Sequence, residues 1–225
     1  MATSHTSPRE DTARALEAFA AYFGQYPSAM SNHYYCDEDI YFGDARVSGV
    51  NRVLYNLLTK FRNRNRFRGH VPGDPLFWGD LCREKVRYVR QFAFAEINTL
   101  KACPYMPYHD PERPFVNNWF ASTEGADGKA YVKMLTEANQ ERLEAEGGAC
   151  IMYTHFGRGF YEDGRLLPRF RELMERLAGR AGWFVPVTTL LDYIQAKRGP
   201  VTLVSPEREA LERHWLAHKV LYGVA

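Results

Sequence analysis

Residues 147–160, "GGACIMYTHFGRGF", carry the reading on which the fold turns. Ala149, Cys150, Ile151, Met152 and Tyr153 form an apolar run between Gly147-Gly148 and Thr154-His155. A run that short and apolar on both faces predicts a strand over 149–154 in a parallel sheet covered on each side. In such sheets the residues just past the carboxyl end of a strand face the ligand crevice. His155 stands at that position, and Gly157 and Gly159 leave the following loop room to approach a ligand. Histidine is also the side chain best matched to proton transfer near neutral pH. The competing reading is a histidine that only caps its strand and bonds locally.

Downstream the pattern repeats. A helix is expected over about 168–180, a strand at 183–187 ("WFVPV"), a helix over about 189–197, a strand at 201–204 ("VTLV"), and a last helix opened by Ser205-Pro206. A helix over about 127–146 comes before. This alternation predicts βα units, with 149–154, 183–187 and 201–204 adjacent and mostly parallel. Upstream, Ser7-Pro8-Arg9-Glu10 places a capping serine, a proline and a glutamate where a helix begins. Leu16, Phe19, Ala20 and Phe23 follow at helical spacing, and Gly24 ends the element. "YPSAMSNHYYC" (26–36) predicts a short strand entering a polar loop. Residues 47–61 predict a helix through Val50, Val53, Leu54, Leu57, Leu58 and Phe61. Between them and the regular half lie a helix at 79–90, a strand-like "RQFAFAEI" (90–97) and the proline-rich "CPYMPYHDPERP" (103–114). No repeat or linker divides the chain, so 1–225 is expected to be a single α/β domain.

Composition narrows the function classes. The 225 residues carry 29 Lys and Arg against 27 Asp and Glu, a net +2 too balanced to make nucleic acid or an anionic membrane an obligatory partner. Cys36, Cys82, Cys103 and Cys150 lie 46, 21 and 47 residues apart, without the C-x-x-C spacing of a zinc or thiol-redox site. They read as reduced thiols in a cytoplasmic protein. "MATSHTSPRED" has no secretory n- or h-region, and no apolar run is long enough for a membrane span.

The segment "GGACIMYTHFGRGF…LPRFRELMERLAGRAGWFVPVTTLLDYI" resembles the C-terminal part of the polysaccharide deacetylase (NodB-homology) superfamily, most specifically over 147–194. Met152-Tyr153-Thr154-His155 matches that family's L-x-x-H motif with Met for Leu. The resemblance implies a (β/α)7 barrel and a hydrolase that cleaves the amide C–N bond of an N-acylated sugar. His155 would be the general acid toward the leaving amine. A divalent metal, zinc first, would be the cofactor. The family's H-[ST]-x-x-H metal motif falls on His33-Tyr34-Tyr35-Cys36-Asp37, with Asp37 in place of the second histidine and Tyr35 as a candidate substrate contact. Its R-x-P-Y motif falls on Tyr105-Met106-Pro107-Tyr108, with Arg113 nearby. The paired aspartates that open the family's first strand are absent. Either the first βα units lie outside this sequence and the barrel is incomplete, or this branch works without the metal, as a saccharide-binding or biosynthetic-complex relative.

Three further stretches offer polar groups. His109, Asp110, Asn117, Asn118 and Trp119 form a loop whose hydrogen-bonding groups and indole suit a sugar, or which simply bonds its own backbone. Glu96 and Asn98 alternate onto one face of a strand, as a structural network or a substrate contact. "KFRNRNRFRGH" (60–70) carries five cations with two phenylalanines. That is the pattern of a nucleic-acid patch, testable at Arg62, Arg64, Arg66 and Arg68, and also of a solvated helix end; with the charge nearly balanced, no nucleic-acid partner is expected.

Overall fold

The computed structural model describes residues 6–225; Met1–His5, the start of the segment read as lacking a secretory signal, lie outside the described residues. In chain order the first half comprises α1 (Arg9–Phe23), β1 (Ala29–Ser31), a 3-10 turn (Gly43–Arg46), α2 (Gly49–Leu58), α3 (Gly79–Lys85), β2 (Tyr88–Phe94), α4 (Thr99–Ala102), β3 (Tyr108–His109) and β4 (Asn118–Glu124). The second half adds α5 (Gly128–Met134), α6 (Glu137–Ala145), β5 (Met152–Tyr153), a hairpin of β6 (Tyr161–Glu162) and β7 (Arg165–Leu166), α7 (Pro168–Ala178), α8 (Val187–Arg198), β8 (Val201–Thr202) and α9 (Ser205–Tyr222).

The result is a mixed α/β fold around a mainly parallel sheet, its strands ordered β1-β2-β4-β3-β8 with β5 also paired to β4. β4 is the hub. One edge pairs with β2 in parallel along its length; the other takes β3 antiparallel at Trp119 and β5 parallel at Thr123 and Glu124. The expected strands at the two ends of 149–202 therefore join one sheet, but they are not neighbours, because β8 pairs with β3. Residues 183–187 are not a strand. Trp183 and Phe184 lie exposed, and Pro186, with no N–H to donate, sits at the start of α8. The helix expected over 127–146 is two, because Thr136 ends one and caps the next by accepting from the Asn139 N–H. That expected over 79–90 stops at Lys85, since Tyr88–Phe94 is wholly buried strand.

α9 covers one face of the sheet. Trp215 stacks on Phe92 of β2 at 4.9 Å and on Tyr55 of α2 at 5.8 Å, and the Arg46 guanidinium lies over the Trp215 ring at 4.5 Å. A smaller cluster of Ile97, Tyr131, Leu135, Phe160 and Leu173 seats α5 and α7 beside β5. α2 is turned opposite to its sequence pattern: Asn51, Tyr55 and Asn56 face inward while Val50, Val53, Leu54, Leu57 and Leu58 face solvent. No helix of the described residues is long and apolar enough to cross a membrane.

The inward turn of α2 follows from a buried ionic network. Arg113 pairs with Asp110 and, at 2.9 Å, with Glu212, and Arg208 reaches the other Asp110 oxygen at 3.0 Å. Glu212 Oε2 then accepts from Ser48 N, Ser48 Oγ and Asn51 Nδ2, at 2.9 to 3.1 Å. Arg113 also donates to the carbonyls of Ala45 and Arg46. All four charged side chains are buried, and the two cations balance the two carboxylates. Removing one member strands a buried charge, so Arg113→Met should cost about 3–5 kcal/mol, against under about 0.5 kcal/mol for Arg62→Met on the surface. Chemical denaturation checks both, and equal effects would contradict this account.

His70 makes the fold acid-sensitive. Its Nδ1 accepts from the Tyr41 N–H at 3.1 Å, and burial, with Arg68, Arg113 and Arg52 nearby, pushes it down to about 4 from an ordinary 6.5. Between those values the unfolded chain holds a proton that the folded chain refuses, so stability falls as pH drops from about 6.5 toward about 4. His70→Asn keeps an acceptor without the proton and should flatten that slope in denaturation curves taken across the window. An unchanged slope would show that His70 is not its source.

Candidate functional site

Parallel pairing brings the carboxyl ends of β1, β2, β4 and β5 to one edge of the sheet. Just past β1, Asn32 exchanges two hydrogen bonds with the backbone of Ile40, folding residues 33–39 back on themselves. That turn lets the His33 N–H donate to Asp39 Oδ1 at 3.1 Å. The other oxygen, Oδ2, is buried without a hydrogen-bond partner among the described residues. Burial pushes the Asp39 carboxyl well above its usual range, against the His33 N–H and the nearby Arg46 and Arg90. Arg46 Nε and Arg90 NH1 are also buried without partners among the described residues.

Arg90 leads to the histidine. Its guanidinium lies 3.8 Å from the Tyr153 ring centroid, and Tyr153 Oη is 3.2 Å from His155 Nε2. His155 Nδ1 sits 3.0 Å from the Ala126 carbonyl. A carbonyl can only accept, so Nδ1 carries the proton and Nε2 accepts a hydrogen bond from the Tyr153 hydroxyl. The imidazole is half-buried at the strand end, its tautomer set by two partners. Of the glycines after it, Gly157 is exposed with open space around it, and Gly159 meets the start of α5. Gly159 has φ +67°, and its carbonyl approaches Gly128 so closely that a Cβ there would lie 2.0 Å from it. That approach closes the loop onto the start of α5, with the Gly128 N–H donating to the Arg158 carbonyl.

Lys219, near the end of α9, completes the edge. Burial, followed by Arg46, brings its amine down to about 8, and its Nζ donates to the Val224 carbonyl at 2.9 Å. The Ala225 N–H donates to Glu124 Oε2 at 2.8 Å, where β4 ends. Arg46, Arg90 and Lys219 thus share one edge with Asp39 and Glu124, three cations beside two carboxyl groups.

The sequence-predicted residues fall into separate places. His33 and the exposed Tyr35 lie beyond β1, their rings 6.0 Å apart. Asp37 turns from His33 to Arg66 at 2.7 Å. Glu96 and Asn98 follow β2 but are occupied: Glu96 pairs with Arg142, and Asn98 caps α4 and donates to Glu146. His109, Asp110 and Trp119 lie at the amino end of β4, five residues or roughly 16 Å from Glu124. His109 Nδ1 meets the Asn117 carbonyl at 3.1 Å, while Asp110 and Trp119 have no exposed surface and meet no solute in this arrangement. Elsewhere in the loop expected to hold a sugar, His109, Asn117 and Asn118 are half-buried and Pro111, Glu112 and Pro114 are exposed. Arg90, Tyr153, Asp39, Arg46 and Lys219 were not singled out by sequence. One signal existed for Arg90: a charge inside the otherwise uncharged strand "YVRQFAF" needs a partner.

The residues present do not fit the implied divalent metal. No three His, Cys, Asp or Glu side chains among the described residues are grouped to hold an ion, and Asp37 is taken by Arg66. Comparison with family models, with curated proteins and with solved structures finds no match to the chain.

Nitrogen NMR of the neutral His155 imidazole should show Nδ1 protonated and Nε2 bare. Tyr153→Phe should shift Nε2 and leave the Nδ1 proton in place; an Nε2–H tautomer in the wild type would contradict the geometry.

Proposed function

We propose that the protein is a carbohydrate-active relative of the polysaccharide deacetylases, taking an N-acylated sugar at the carboxyl edge of its parallel sheet with the acylamino group against His155. The observation that carries this reading is the imidazole at the end of β5, held by the Ala126 carbonyl with Nε2 directed to Tyr153. A barrel arrangement of the strands belongs to the same proposal. The positive charge of Arg90, beside Tyr153, and of the half-buried Lys219 suits acyl and hydroxyl oxygens, and the exposed Tyr35 ring suits the apolar face of a sugar.

In the hydrolytic form, Nε2 of the neutral His155 takes a proton from water as its oxygen adds to the acyl carbon, and the resulting imidazolium returns that proton to the departing nitrogen as the C–N bond breaks. A second form, recognition without turnover, is favoured by the engagement of Asp37 with Arg66. An oligosaccharide of N-acetylglucosamine separates them, with acetate release and calorimetric binding measured together. Under hydrolysis, His155→Ala lowers release by about two to four powers of ten with unfolding unchanged. Under recognition, the wild type binds without release and His155→Ala weakens binding. Neither binding nor release would overturn both forms.

A further inference from the structure

The outward face of α2 and the turn after it have no role in the edge site. Val50, Val53, Leu54, Leu57, Leu58 and Phe61 are all between 46% and 75% exposed. This is not a core face displaced by chance. The opposite face is fixed inward by hydrogen bonds: Asn51 to Glu212 and the Glu209 carbonyl, Asn56 to Asp44, and Tyr55 to Asn63. Beyond the helix, Lys60 and Phe61 adopt left-handed backbone (φ 50° and 58°), unusual for bulky residues, and the Phe61 N–H closes the turn on the Asn56 carbonyl. The turn holds Phe61 out beside the aliphatic row.

Along the sequence, the charge flanking this face has one sign. Residues 45–73 contain seven Lys and Arg and no Asp or Glu, whereas the rest of the chain holds 22 basic against 27 acidic residues. Arg52, Arg66 and Arg68 are paired with Asp44, Asp37 and Asp74, and Arg46 is buried. Lys60, Arg62 and Arg64 are exposed and in no ion pair among the described residues. The near-neutral total conceals this patch.

We propose that this face docks on an anionic lipid bilayer, with α2 in the plane of the interface, its aliphatic row and Phe61 among the acyl chains and Lys60, Arg62 and Arg64 at the headgroups. The partner must be apolar where the row enters and negative at its rim, and it need supply no directed hydrogen bonds. An anionic bilayer meets each requirement. A second copy of this chain would set the cationic rims against each other.

The test is co-sedimentation of the full chain with vesicles of phosphatidylcholine alone and with about a third phosphatidylserine. The wild type should partition onto the anionic vesicles and much less onto the neutral ones, with binding weakened by salt. Each surface cation contributes roughly fivefold, so Lys60→Gln, Arg62→Gln and Arg64→Gln together should lower partition by about a hundredfold. Leu54→Glu with Leu57→Glu should abolish it, with circular dichroism and thermal unfolding verifying the fold of both variants. The proposal is overturned by absent binding to anionic vesicles at low salt, or by equal binding of the Leu54/Leu57 variant. It is also overturned by a wild-type dimer, or a complex with a soluble acidic peptide, that this variant dissolves while vesicles go unbound.

Discussion

The interaction on which the rest depends is the buried contact of Arg113 with Asp110 and Glu212. It ties together four stretches far apart in sequence: the loop after β3, the 3-10 turn at 43–46, the start of α2 and the first half of α9. Two buried cations and two buried carboxylates are tolerable only as a complete set, because each charge lost leaves another without compensation. The set fixes α9 across the sheet, which puts Trp215 on Phe92 and carries Lys219 to the end of β4. It fixes α2 with its amides inward. The carboxyl-edge donors and the exposed aliphatic face thus follow from one network.

Local patterns in the sequence located most elements. The Gly24 stop and the Ser205-Pro206 start of α9 appear where their chemistry places them; the run ahead of His155 joins the sheet, but only Met152–Tyr153 is strand, and it is half-buried rather than covered on both faces. Side-chain period alone failed where long-range polar contacts outweighed it. In α2 the apolar stripe predicted the buried face, but Asp44 and Glu212 bind the amides and turn it out. At 183–187 the composition was that of a strand, but no ladder partner reaches it.

The site was legible at one residue and obscured at most others for a physical reason. His155 is marked by local sequence, a histidine after an apolar strand. Asp110 and Trp119 look equally functional in sequence because polar and aromatic residues in a proline-rich loop suit either solvent or a buried network. Only the register shows which. β3 pairs with the amino half of β4, and β5 with the carboxyl half, so the two polar groups lie at opposite ends of one strand. Arg46, Asp39 and Lys219 meet Arg90 only through tertiary folding, and no local pattern announces them.

The central claim is that a ligand engages the carboxyl edge and leaves the 109–119 loop alone. Backbone amide shifts during titration with an N-acetylglucosamine oligosaccharide test it most directly. The account predicts perturbations around residues 32–39, 124–126 and 153–158, with 109–119 unmoved. Perturbations confined to 109–119 would contradict it.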